Sequence, residues 1–236
     1  MTAPLKPPAD RLYGRARGHK LRPRQRLLLD AALPRLAFQP RAAADPGAAF
    51  AARPAALWLE VGFGGGEHAA AQIAAHPEVG LIAAEVFENG ICSLLSRLLP
   101  EPADPATAPI PGNLRLWTED ARALIGALPD ACLDRMFLLF PDPWPKARHA
   151  RRRFVHPASI GAIARVLRPG GEWRIASDDP TYQDWVTATL ADQAWFAVET
   201  FPARPPDLTP HWPLTRYEAK ALAAGRSPIY WRLTRR

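Results

Sequence analysis

Residues 141–154 read PDPWPKARHARRRF. Asp142 stands between two prolines, Trp144 follows, and Lys146, Arg148, His149, Arg151, Arg152 and Arg153 fall within eight residues. A solvated helix face has no use for the prolines, and a buried strand cannot hold the charges. The pattern predicts a loop at the rim of an active site, where one preorganised carboxylate works and the basic run holds a polyanion.

A second stretch, Glu60-Val61-Gly62-Phe63-Gly64-Gly65-Gly66-Glu67, closes the apolar run LWLEV and opens a helical pattern. Such a glycine-rich turn lets backbone approach a ligand at the carboxyl edge of a parallel sheet. A dinucleotide fingerprint requires a further glycine where Glu67 stands, and an acid there repels a pyrophosphate. The pattern E-x-G-x-G-x-G, with Glu60, Gly62, Gly64 and Gly66 in place, instead resembles the first motif of S-adenosylmethionine-dependent methyltransferases. That cofactor carries a sulfonium, an ammonium and a ribose diol, so acids suit it. Glu85, at the end of the next apolar run, is placed to accept both ribose hydroxyl protons. Asp120, after the third run, is placed to accept from the adenine amino group.

The elements that must position these residues are legible as alternating short apolar runs and helical patterns. Strands are expected at 57–61, 81–85, 114–118, 134–140, 172–177, 196–201 and 228–234, with helices near 67–75, 89–98, 121–128, 157–167, 180–192 and 215–224. This alternation predicts an α/β fold, a mostly parallel seven-stranded sheet between two helical layers. Residues 1–50 read as a basic N-terminal arm and linker, with 51–236 as the domain. The Ala/Pro-rich stretch 40–56 is expected to be linker, and the Pro-rich stretch 100–113 a surface insertion without chemistry.

At 236 residues the chain has apolar content for a real core. No apolar run reaches 18 residues, and charges and prolines interrupt any signal-peptide core from Lys6 onward. Asp10 and the prolines likewise argue against a transit peptide. Cys92 and Cys132 read as core residues of a reducing cytoplasm, with neither metal-ligand spacing nor a disulfide framework. The formal charge of +7 is unevenly spread: residues 1–30 hold eight Lys/Arg against Asp10 and Asp30, and 215–236 hold six against Glu218. Basic clusters at 1–30, 146–153 and 215–236 around an acidic middle suit a polyanion held at the edge of a site, with solubility as the alternative use of the charge. Arg11, Arg15, Arg17, Lys20, Arg22 and Arg24 are the arm's candidate contacts.

The stretch LFPDPWPKARHARRRF, Ser177-Asp178-Asp179 after the fifth strand and Thr215-Arg216-Tyr217-Glu218 together resemble the bacterial tRNA (guanine-N7-)-methyltransferase family, from Arg11 to the end. The resemblance implies the class I, Rossmann-like methyltransferase fold and S-adenosylmethionine as cofactor. It implies transfer of a methyl group to N7 of the variable-loop guanine of tRNA. It places Glu60, Glu85, Asp120 and Asp142 around the cofactor and makes Asp142 the catalytic residue. Lys146, Asp178 and the Thr215–Glu218 segment would contact substrate, with Asp179 competing for the Asp178 role. The insertion at 100–113 loosens the placement of Asp120.

Guanine N7 carries an in-plane lone pair and no proton, so no general base is required. Asp142 is expected either on the N1–H and N2–H₂ edge of the base or on the cofactor ammonium. Trp144 either stacks on the base or anchors the loop. His149 reads as an RNA contact and His68 as structural. Thr215 and Glu218, three apart, also make a capping box that only starts a helix. Methylation of another RNA position, a non-catalytic RNA-binding protein and a dinucleotide oxidoreductase are the competing readings. Pro141–Trp144 matches the amine-methylating motif only loosely, the intact glycine turn argues against a lost cofactor, and Glu67 argues against the last. Monomer and homodimer both remain open.

Overall fold

The computed structural model describes residues 17–205, 207 and 211–236; Arg11 and Arg15 of the expected basic arm lie outside them. Seven strands form one sheet: β1 (Ala56–Val61), β2 (Val79–Ala84), β3 (Leu114–Trp117), β4 (Leu133–Leu139), β5 (Leu167–Ser177), β6 (Phe196–Phe201) and β7 (Ile229–Arg235). Their order is β3-β2-β1-β4-β5-β7-β6, and β7 alone runs antiparallel to its neighbours. The strands fall within two residues of expectation except β5, which starts at Leu167 and runs through Pro169-Gly170-Gly171.

Alternation along the central strands divides the core into two layers. Leu59, Met136 and Leu138 pack with Leu124 and Ile125 of α5 (Ala121–Ala127), Ile160 and Ile163 of α6 (Pro157–Val166) and Tyr182 and Val186 of α7 (Pro180–Ala191). Trp58, Leu81 and Phe137 pack on the other face with Ala69 and Ile73 of α3 (Glu67–Ala75) and Ile91, Leu94 and Leu95 of α4 (Glu88–Leu98). The last helix, α8 (Arg216–Ala223), precedes β7.

Residues 23–50, expected as arm and linker, are built into this core. α1 (Pro23–Leu27), a π turn (Leu28–Ala32) and α2 (Leu33–Leu36) run on from one another, and Leu28, Ala32 and Leu36 are fully buried. Ala37 bridges to Leu116, covering the edge of β3. Residues 40–49 form two short 3-10 turns that bury Ala43 and Pro46. Arg24, expected on RNA, donates to the carbonyls of Leu99 and Ala103 at 3.0 and 2.6 Å, and Arg35 to those of Pro105 and Ala108 at 2.9 and 2.8 Å. These guanidiniums satisfy the backbone of the Pro-rich insertion, which is thereby tied to the N-terminal helix. No helix among the described residues is long and apolar enough to cross a membrane.

Candidate active site

In this sheet order β1 and β4 send their following helices to opposite sides, and a crevice opens at their carboxyl ends. A cleft of about 490 Å³ lies there, walled by the turns after β1, β2, β3 and β4 and by Tyr217 of α8. Its size suits a small organic ligand.

The turn after β1 is left-handed at Gly62, Gly64 and Gly66, with φ of 72°, 56° and 75°, a region that side chains rarely adopt. Space above Gly62 is open, and the residue lines the cleft. A Cβ on Gly64 would meet the Tyr217 ring at 2.7 Å. Gly66 caps α3. Sequence reasoning missed Gly90, on which a Cβ would lie 2.4 Å from the Gly64 carbonyl oxygen. Its signal was a lone glycine inside a helical pattern, tolerated despite its cost because α4 must sit directly on the turn.

Glu85 is held by three backbone donors: Gly64 N–H to Oε2 at 2.8 Å, and Val86 and Phe87 N–H to Oε1 at 2.8 and 3.0 Å. Burial nonetheless outweighs these bonds and, with the Asp142 charge, raises its carboxyl above the usual range. Asp120 caps α5, accepting from Arg122 N–H at 2.9 Å, and its other oxygen lies 3.4 Å from Arg122 Nη1. Arg122 also donates to the Arg152 carbonyl at 3.2 Å. The turn after β3 and the basic run are thus joined by one side chain.

The Pro141–Arg153 loop is more folded than its sequence announces. Asp142 faces the cleft and makes no salt bridge among the described residues. The flanking residues Phe140 and Trp144 have φ of 51° and 45°, strained for bulky side chains. The Arg152 guanidinium lies over the Trp144 ring at 4.7 Å, and the His149 ring meets it edge-on at 5.8 Å; Trp144 and Arg152 also line the cleft. Residues Ala147–Arg152 form a 3-10 turn. Lys146, Arg148 and Arg151 are exposed on it. Desolvation and the surrounding positive charge hold the His149 imidazole below its usual range. Arg153, expected on phosphate, is only 4% exposed and turned inward.

Several expected site residues stand behind the cleft rather than in it. Glu60, 2% exposed, binds His68 Nδ1 at 3.0 Å. The His68 ring packs edge-on against Phe137 and Trp212. Trp212 in turn meets Tyr230, and Gln72 fixes the His211 carbonyl at 2.6 Å. This stack pins the entrance to α8. There Thr215 caps the helix by accepting from Glu218 N–H at 3.2 Å, but the Glu218 side chain does not complete a capping box. It is 1% exposed and takes bonds from Arg204 and from the Tyr230 hydroxyl. Of the Thr215–Glu218 segment, Tyr217 reaches the cleft and Arg216 is exposed beside it. At the end of β5, Asp179 caps α7 through Tyr182 N–H at 3.0 Å, whereas Asp178 pairs with Arg226 at 2.6 Å. Neither lines the cleft.

The cleft therefore gathers Gly62, Gly64, Glu85, Asp120, Asp142, Trp144, Arg152 and Tyr217. Glu119 joins them without having been expected. A predominantly acidic pocket lies over a left-handed glycine turn, on a sheet with one reversed strand beside β5, which is the architecture of the class I methyltransferase fold.

The comparisons agree. A family model described as "Putative methyltransferase" matches residues 54–230. The tRNA (guanine-N(7)-)-methyltransferase of Granulibacter bethesdensis is 62% identical over 98% of this chain and 98% of its own length. That of Rhodospirillum rubrum is 49% identical, covering 99% and 91%. The chain belongs to the tRNA (guanine-N(7)-)-methyltransferase family. Among solved structures, the 16S rRNA (adenine(1408)-N(1))-methyltransferase of Catenulisporales acidiphilia superposes with a TM-score of 0.53 at 19% identity, covering 84% of this chain and 94% of its own. A point mutant of that protein was solved with the cosubstrate SAM. At this identity the likeness bears on the fold.

Proposed function

We propose that this chain transfers a methyl group from S-adenosylmethionine to N7 of the variable-loop guanine, position 46, of tRNA in the bacterial cytoplasm. The observation that carries the cofactor assignment is the pairing of an open glycine cradle at Gly62 with Glu85, whose carboxylate is pinned by three N–H groups and faces the same cleft. The substrate class comes from the family.

The residues fit a cationic nucleoside. Glu85 would accept from the ribose hydroxyls, the Asp120 turn would hold the adenine, and Asp142 with the glycine turn would hold the methionine end. When bound, the cofactor supplies a sulfonium methyl group. Because N7 has no proton to remove, the chain's task is orientation and charge, and orientation alone can contribute roughly 7–11 kcal/mol. Asp142 stabilises the positive charge that the guanine gains, while Tyr217 and Trp144 bound the space in which the base sits. Lys146, Arg148 and Arg151 hold phosphates, and Arg216 extends that surface past α8.

Two results are expected. Cofactor affinity weakens as pH falls, beginning above the range of an ordinary glutamate, since protonating Glu85 removes the ribose acceptor and its carboxyl is already raised. Calorimetric Kd values from pH 8 to 5 check this, and Glu85→Gln should flatten the profile. Replacing Lys146, Arg148 and Arg151 together by Met should reduce the slope of log K against log salt for tRNA by about 2 to 3. An unchanged slope removes that surface from the RNA interface.

The reading itself is tested by labelled methyl transfer from S-adenosylmethionine to an unmodified tRNA transcript, with ribosomal RNA as competitor. Incorporation into tRNA supports it; incorporation into ribosomal RNA alone overturns it.

A further inference from the structure

Arg153 belongs by sequence to the basic run, yet it is withdrawn from the surface. Its Nε donates to the Pro143 carbonyl and its Nη2 to the Trp144 carbonyl, both at 3.0 Å. Its guanidinium lies 4.8 Å from the ring centre of Trp185 in α7, and Trp185 is itself fixed by a 2.6 Å bond to the Val155 carbonyl. No carboxylate pairs with Arg153 among the described residues. A buried cation with no carboxylate in direct contact is costly, so its two carbonyls, the indole face and the more distant Asp179 charge must offset the burial.

Those carbonyls belong to the two residues directly after Asp142. The loop there is held at φ of 51° in Phe140 and 45° in Trp144, conformations that persist only where the surroundings over-determine them. A planar guanidinium, with its fixed fork of donors, reaches two successive carbonyls at once, which an ammonium does poorly.

We infer that Arg153 is a positioning residue for the reaction: it clamps the turn that carries Asp142 to α7 and so sets where that carboxylate stands over the cleft. The inference rests on the proposed function for its kinetic consequence, but the clamp itself is readable without tRNA. It also divides the basic run into an outer part for phosphates (Lys146, Arg148, Arg151) and an inner brace.

Two variants and three readouts test it. In Arg153→Met, amide exchange at Phe140 and His149, whose N–H groups donate to the Ala176 and Lys146 carbonyls at 2.8 Å, should quicken at least tenfold while that of α3 is unchanged. The single-turnover methyl-transfer rate with saturating tRNA and cofactor should fall about 30- to 100-fold, since misplacing a reacting group by an ångström has that scale of effect. The tRNA Kd and its salt slope should stay as in the parent enzyme. Arg153→Lys keeps the charge but loses the fork, and should recover only part of the rate; it also carries the test if the Met variant folds poorly. A raised tRNA Kd with a slope smaller by about one and an unchanged rate, or a full rate in Arg153→Lys, overturns the inference and makes Arg153 a phosphate contact. Unchanged exchange in the loop overturns the clamp whatever the RNA substrate. No transfer to tRNA by the parent enzyme would instead sink the proposed function, leaving the exchange result to decide the clamp.

Discussion

Asp142→Asn should lower the rate constant of methyl transfer about 100- to 1,000-fold, with tRNA affinity within twofold of the parent. The substitution keeps the shape of the side chain and removes its charge. That charge faces the cleft, is close enough to Glu85 to help raise its carboxyl, and makes no salt bridge among the described residues. It is therefore available to the positive charge of the reacting centre. Loss of one preorganised electrostatic partner of the reacting centre costs on this scale. The exposed side chains proposed to hold phosphates, Lys146, Arg148 and Arg151, are untouched, so affinity is expected to be retained. Rapid-quench single turnover separates the two quantities. A rate within threefold of the parent would remove Asp142 from the chemistry, and an equal loss in Kd would make it a binding residue only.

Glu218→Ala should destabilise the fold by about 3–5 kcal/mol, the cost of breaking a buried ion pair from one side. Glu218 receives both Nε and Nη2 of Arg204 and the Tyr230 hydroxyl at 2.5 Å. Arg204 also donates to the Trp212 carbonyl. Burial and its bond to Glu218 raise the Tyr230 phenol well above its usual range, so it stays protonated and donating. Removing the carboxylate leaves Arg204 without its partner and frees the segment that places Tyr217 against Gly64. Urea unfolding gives the loss of stability, and cofactor affinity should fall with it. Glu218→Gln, which retains an acceptor, should cost less than half as much. A loss below 1 kcal/mol in the Ala variant would contradict this structural role for the buried carboxylate.

The parallel sheet, its helices and the glycine turn were legible because period-two and helical patterns alternate between clear Gly/Pro stops. The N-terminal helix was not. Leu28, Ala32 and Leu36 follow helical spacing, but Arg22, Arg24 and Arg26 come just before them and Pro34 falls between them, and the charge suggested an RNA-binding arm. Two of the arginines nearby, Arg24 and Arg35, in fact satisfy the carbonyls of the Pro-rich insertion, a pairing across some seventy residues that no local pattern shows. The inward turn of Arg153 was not legible either, since a run of like residues hides which one is buried. Glu60 and Glu218 stood out by type and spacing, yet spacing does not say whether a carboxylate faces ligand or a buried partner. His68 and Arg204 supply those partners. Asp179 was a helix cap in plain view, one residue before Pro180 and three before Tyr182.

The central claim is most directly tested by incubating the enzyme with S-adenosylmethionine and an unmodified tRNA transcript, then cleaving the RNA with borohydride and aniline, which cut at 7-methylguanine. One enzyme-dependent cut, in the variable loop, is expected. Methyl incorporation without a cut would contradict it, placing the methyl group on a different atom of the RNA.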